Sequence, residues 1–244
     1  MDADSIDRIL DVMDEAASSL AMQEAGCRAL GRLCTMAEGT ARERIGSSGA
    51  IGALVRAVNA KGFLSNVARL RKLACEALTA LVVERADARE HDLTLNAVMK
   101  DHICRCDIFG AVISTLKAHR KAPAVLVNAC NLVAVICSGD DPYDERKNMA
   151  SASGLIQAIV QVLRKNLKLS DVQDAGRRAL IVICHNTELQ TYAACSKLAH
   201  EPICIPCTQS SIHVTLSQGG TSERCQSRLV STWNEEHSKC WISP

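Results

Sequence analysis

Four stretches of the chain carry apolar residues at the spacing i, i+3, i+4, i+7. They are Ile6, Ile9, Leu10 and Met13; Ile51, Leu54, Val55 and Val58; Phe109, Val112, Ile113 and Leu116; and Ile156, Ile159, Val160 and Leu163. At about 3.6 residues per turn this spacing gathers the apolar side chains into one stripe, so each stretch predicts a helix with a single buried face. Ala53, Ala111 and Ala158 hold the third position in three of the stripes, where a small side chain lets a neighbouring helix come close. A second, longer stretch follows each stripe: Ala25-Gly-Cys-Arg-Ala-Leu30, Leu73-Ala-Cys-Glu-Ala-Leu78, Asn128-Ala-Cys-Asn-Leu-Val133 and Ala175-Gly-Arg-Arg-Ala-Leu180. From the first residue of each stripe to the position of Cys27, Cys75, Cys130 and Arg177 the offsets are 21, 24, 21 and 21. The stripes begin 45, 58 and 47 residues apart. Residue type and spacing thus agree four times, which predicts internal repeats. The long middle period predicts an insertion of about ten residues around Arg85 to Asp101.

A third, shorter helix fits before three of the stripes, over Thr40–Ser47, Leu93–Cys104 and Tyr143–Ser151. Gly39 and Gly139 follow the long stretches, where a glycine commonly ends a helix. Ser48-Gly49 and Ser153-Gly154 mark tight turns into the stripes. The unit is therefore three helices in about 45 residues. The units run over 1–38, 39–85, 86–139 and 140–186, with a partial start at 187–194. From 195 to 244 the 3.6-residue periodicity is absent. Pro206 stands where the next stripe would need helix interior, and proline has neither the N–H nor the room for that place. This segment is expected to be an irregular or disordered tail. A small cap over the last repeat is an alternative reading, with Trp233 and Trp241 covering it.

Composition sharpens the picture. Six aromatic residues and thirteen cysteines in 244 residues leave a core of Ala, Val, Ile, Leu and Cys, which suits closely packed helices better than a β-sandwich. A net charge of +1 argues against a polybasic nucleic-acid binder. The acidic N-terminus lacks the apolar core of a secretory signal, and no uncharged run makes a clean membrane span. The expectation is a cytoplasmic protein, with the nucleus also open, that is not secreted. Its cysteines are then reduced thiols.

The repeat unit resembles the armadillo repeat. Ser48-Gly-Ala-Ile-Gly-Ala-Leu-Val55 is similar to that family's turn and second helix. Gln23-Glu-Ala-Gly-Cys-Arg-Ala-Leu-Gly-Arg-Leu33 is similar to its third helix. The two-helix HEAT repeat is the runner-up, and the short first helix decides between them. The resemblance implies an all-α, right-handed α-solenoid of about 3.5 three-helix repeats, whose successive long helices line a concave groove. It further implies a non-catalytic scaffold or adaptor that binds a protein or extended peptide and needs no cofactor. In the import adaptors and catenins of the family a Trp and an Asn on the third helix hold the peptide. Here the Trp positions are Arg28, Glu76, Asn131 and Arg178, and the Asn positions are Arg32, Ala80, Val135 and Val182. Basic cargo would be repelled by the arginines. Arg28, Arg32 and Arg178 instead suit an acidic or phosphorylated ligand, while a merely solvated helix face explains them as well. The expected partner-binding residues are Arg28, Arg32, Glu76, Asn131 and Arg178.

Catalytic motifs are scarce. No phosphate-binding loop, nucleophile elbow or His-Glu-x-x-His occurs. The acidic run from Asp140 to Glu145 reads as a helix start, with Pro142 in the first turn. Cys104 and Cys106 are two residues apart and would face different ways on a helix, so they read as packing thiols. In the tail, Cys204-x-x-Cys207 is a zinc half-site, with Cys195, His200 and His213 as further ligand candidates but no second pair of recognisable spacing. A tail zinc module is therefore one alternative function. A fragment of a larger armadillo protein, without an independent role, is another.

Overall fold

The computed structural model describes residues 3–184 apart from 38, 62, 63, 85–87, 89, 140 and 142. The expected partial fifth unit, the tail and the candidate zinc ligands lie outside the described residues. Within them the secondary structure is eleven α-helices and no strand.

The four stripes are α1 (Ala3–Glu15), α4 (Ala50–Val58), α7 (Ile108–Ala118) and α10 (Leu155–Lys165). The long stretches are α2 (Leu20–Met36), α5 (Leu64–Val82), α8 (Pro123–Ile136) and α11 (Ser170–Ile183). The short helices are α3 (Gly39–Ser47), α6 (Glu90–Arg105) and α9 (Glu145–Ala152). The middle one is much longer than its sequence pattern predicts and begins three residues before Leu93, so the insertion is spent partly on extending α6. Helix α9 begins at Glu145, later than the sequence reading has it. The Asp141 carboxylate accepts from the amides of Glu145 and Arg146 at 3.0 and 3.2 Å, which caps the helix, and Pro142 lies outside the described residues.

Helices of one kind pack on their own kind. Long helix α2 packs on α5, α5 on α8 and α8 on α11; stripe helices follow α1, α4, α7, α10; short helices follow α3, α6, α9. The stripes are the buried faces. Ile51, Leu54, Val58, Val112, Leu116, Ile156, Ile159 and Leu163 are all at most 1% exposed. The turn into three of the four stripes is left-handed, at Gly49 (φ 90°), Asp107 (φ 59°) and Gly154 (φ 84°), two residues before Ile51, Phe109 and Ile156. Aspartate is among the few side chains that tolerate that conformation, which is how unit three keeps the same turn without glycine.

Close approach explains the shortage of rings. Gly26 lies against Met13 and Gly176 against Leu163, so tightly that a Cβ on either glycine would fall within 2.5 Å of the partner's side chain. These are the same two positions in the first and last units. Among the described residues the aromatic side chains are Phe109, which is buried, and Tyr143, which is exposed.

Candidate functional site on the long helices

Cys27, Cys75 and Cys130 hold one register on successive long helices, and each is fully buried. Arg177 holds that register on α11 and is exposed, with an Asp174 carboxylate at 3.9 Å. A residue one place further along a helix turns about 100° away. That rotation takes Arg28, Glu76, Asn131 and Arg178 out of the stack: Arg28 and Arg178 are exposed, Glu76 and Asn131 half-exposed. One turn further lie Arg32, which is exposed, and the half-buried Ala80, Val135 and Val182. Each long helix thus carries two residues past the buried register, both arginine on α2, and a polar residue with a valine on α8 and on α11.

The expected residues are joined only in part. The Arg178 guanidinium donates to the Asn131 side-chain carbonyl at 3.1 Å across the α8–α11 boundary. Glu76 is held on its own helix by Lys72 at 2.8 Å, and Glu24 on α2 reaches Arg69 on α5 at 3.3 Å. Arg28 and Arg32 have no ion-pair partner among the described residues. Two guanidinium groups one turn apart, solvated and uncompensated, can take a carboxylate or phosphate by paired N–H donors.

Two sets of residues that the sequence reading passed over support this face from behind. Gln23 on α2 donates to the carbonyls of Met13 and Ala16, and Gln173 on α11 donates to those of Leu163 and Asn166, at 2.8 and 3.2 Å. Both glutamines stand four residues before the cysteine register. Arg71 stands there on α5 and donates to the Ala60 carbonyl at 2.7 Å. Each satisfies the open carbonyl end of its own unit's stripe helix. The second set is on the short helices, nine residues before the stripe. Arg42 donates to the Leu81 and Val83 carbonyls at the end of α5, and Lys100 to the Ser138 carbonyl beyond α8 at 3.0 Å. Cations suit helix C-termini, where the carbonyl dipoles accumulate negative charge. A polar residue recurring at a fixed offset was the signal available for both sets.

The buried cysteines are poor nucleophiles. Burial pushes the thiols of Cys27, Cys34, Cys75, Cys104, Cys130 and Cys137 up to about 12 and that of Cys184 up to about 11. Cys104 is buried and Cys106 half-buried, and no disulfide forms among the described residues. Nor does any group of three His, Cys, Asp or Glu side chains among them have the geometry to hold a metal ion. A cleft of about 470 Å³, lined in part by Leu20 and Gln23 of α2 and Leu70 of α5, lies beside the exposed Asp14–Arg56 ion pair at 2.8 Å. No helix among the described residues is long and apolar enough to cross a membrane. No protein-family model, curated protein sequence or solved structure matches this chain.

Proposed function

We propose that this chain is a divergent armadillo-type α-solenoid that binds a protein or extended peptide along the exposed face of α2, α5, α8 and α11. In this reading it is a non-catalytic scaffold or adaptor. The like-on-like packing of three helix classes supports the architecture. So do the left-handed turn and the glutamine cap that return at the same offset in different units. Three helices per unit favour it over the two-helix HEAT arrangement.

The observation that carries the binding reading is the pair of rows that four successive helices bring to one face. The partner it fits is extended. It places a carboxylate or phosphate at Arg28 and Arg32, and its apolar side chains over Val135 and Val182. Asn131, oriented by Arg178, offers its amide N–H to the peptide backbone.

An array of extended acidic and phosphorylated peptides, probed with the full chain, tests this. A form with Arg28, Arg32, Asn131 and Arg178 all changed to Ala is expected to bind the selected peptides at least about tenfold more weakly, since each charge-assisted hydrogen bond contributes on that scale. The same peptides selected with equal affinity by both forms would overturn the reading.

A further inference from the structure

Away from the long helices, two described loops carry charge of one sign. The loops that leave α7 and α10 read Leu116-Lys-Ala-His-Arg-Lys-Ala122 and Leu163-Arg-Lys-Asn-Leu-Lys-Leu169. Together they hold Lys117, Arg120, Lys121, Arg164, Lys165 and Lys168, all exposed. No carboxylate occurs from Ile108 to Gly139 or from Arg146 to Ser170. Asp107, the nearest upstream acid, sits at the other end of α7, about 16 Å away at 1.5 Å per residue. Asp171, the nearest downstream, lies in the first turn of α11 with the Ser170 hydroxyl at 3.5 Å.

The two loops are neighbours in space. Lys117 and Arg120 from the first, with Lys165 from the second and Gln161 from α10, surround one shallow depression floored by Leu116, Ala158 and Val162. Helix-dipole compensation accounts for Lys117, Arg164 and Lys165, which lie in last turns. It does not account for Arg120, Lys121 and Lys168, which lie past the helix ends.

The tip of the second loop is apolar and outward. Leu167 is 72% exposed and Leu169 37% exposed, alternating with Lys168. The turn that presents them is fixed from inside. Asn166 is buried, its side chain donates to the Val162 carbonyl at 2.8 Å, its backbone carbonyl accepts from the Leu169 amide at 3.0 Å, and Gln173 donates to that same carbonyl. A solvated charged loop has no need of a leucine held into water.

We infer that this edge is a peripheral membrane-docking surface, on which the cations pair with anionic lipid headgroups while Leu167 enters the boundary between headgroups and acyl chains. A cationic rim around a protruding aliphatic residue is what such a boundary selects. Single-stranded nucleic acid is the weaker match, because its binding sites stack bases on aromatic rings and neither loop carries one. The surface is separate from the long-helix rows, so the two readings stand or fall independently.

Co-sedimentation of the full chain with phosphatidylcholine vesicles containing about one third phosphatidylserine, beside pure phosphatidylcholine vesicles, tests it. Binding is expected with the anionic vesicles alone and weakens as salt is raised. A cation beside an anionic surface is worth about fivefold in affinity, so Lys117→Gln, Arg120→Gln and Lys165→Gln together lower binding about 100-fold. Leu167→Ser leaves the charge intact and lowers it about tenfold. Lys121→Gln with Lys168→Gln supplies an independent pair, expected to cost about 25-fold, should the triple variant lose its helical circular dichroism. Equal binding to both vesicles, or to neither, would overturn the inference. So would a Leu167→Ser form that sediments like the parent, or a short duplex DNA bound as tightly as the anionic vesicles, since either marks a general polyanion surface.

Discussion

Gln173 donates two hydrogen bonds from a buried side chain to the carbonyls that end α10, and it is the same side chain that fixes the turn behind Leu167. Gln173→Ala strands both carbonyls and is expected to cost about 1–2 kcal/mol of unfolding free energy, measured by urea denaturation followed by helical circular dichroism. His119 closes α7 and is 4% exposed. Burial first, and then the nearby Arg71 guanidinium, hold it below its ordinary value of 6.5. The unfolded chain therefore takes up this proton more readily than the folded one. Stability contributed by the neutral imidazole is complete above about pH 6.5 and declines as the pH falls below that value. Denaturation midpoints on either side of that pH should differ in the parent and differ less in His119→Gln. These polar residues were the least legible part of the sequence. Within an apolar-rich helix a glutamine or arginine reads as surface, and only its recurrence four residues before the cysteine register distinguishes Gln23, Arg71 and Gln173. Arg28 and Arg178 were legible for the opposite reason. They stand one place past the repeat register, and both are exposed there.

Among the elements, the stripes and long helices could be read closely, because a 3.6-residue period in Ile, Leu and Val has one solution when it repeats at a fixed offset. Helix α6 could not. Its buried positions are Asn96, Met99, Lys100, Ile103 and Cys104, so two of five are polar and the stripe is broken. Lys100 is placed there to meet Glu84 at 2.8 Å and the Ser138 carbonyl, a pairing between distant segments that no local pattern announces. Asn96 has no such compensation. It is 1% exposed, and neither of its amide atoms has a hydrogen-bond partner. Burying an unpaired amide costs more than burying an alkyl group of similar size. Asn96→Leu is therefore expected to raise the unfolding free energy by about 1 kcal/mol, and a loss of stability in the same denaturation assay would show that the amide is satisfied in solution. The extension of α6 is where the chain departs most from its own repeat, and it falls on the short-helix layer rather than on the long-helix face. The candidate binding rows are thereby left in register across the insertion.

At the scale of the whole molecule, the described helices pack in three like-on-like series built from small aliphatic side chains and buried thiols. One layer exposes a mixed face of arginine, asparagine and valine. The loops at one edge expose lysines, arginines and a leucine. A chain with both would hold a partner along its helices while resting an edge on an anionic surface. Affinity for a partner that is itself attached to that surface would then rise through effective concentration rather than through any change of shape. If so, peptide binding to vesicle-bound protein should match peptide binding to free protein when the peptide is soluble, and should tighten only when the peptide is itself tethered to the vesicle. The scarcity of rings in the packed layers has a practical counterpart in light. Both tryptophans, at 233 and 241, fall after the last described helix, and the aromatic side chains among the described residues are Phe109 and Tyr143. Ultraviolet emission at tryptophan wavelengths thus comes from the chain beyond the described helices, whose own far-ultraviolet signal it does not report. The molecule carries its own two-colour label, able to separate the melting of the helices from any event in the segment that follows them.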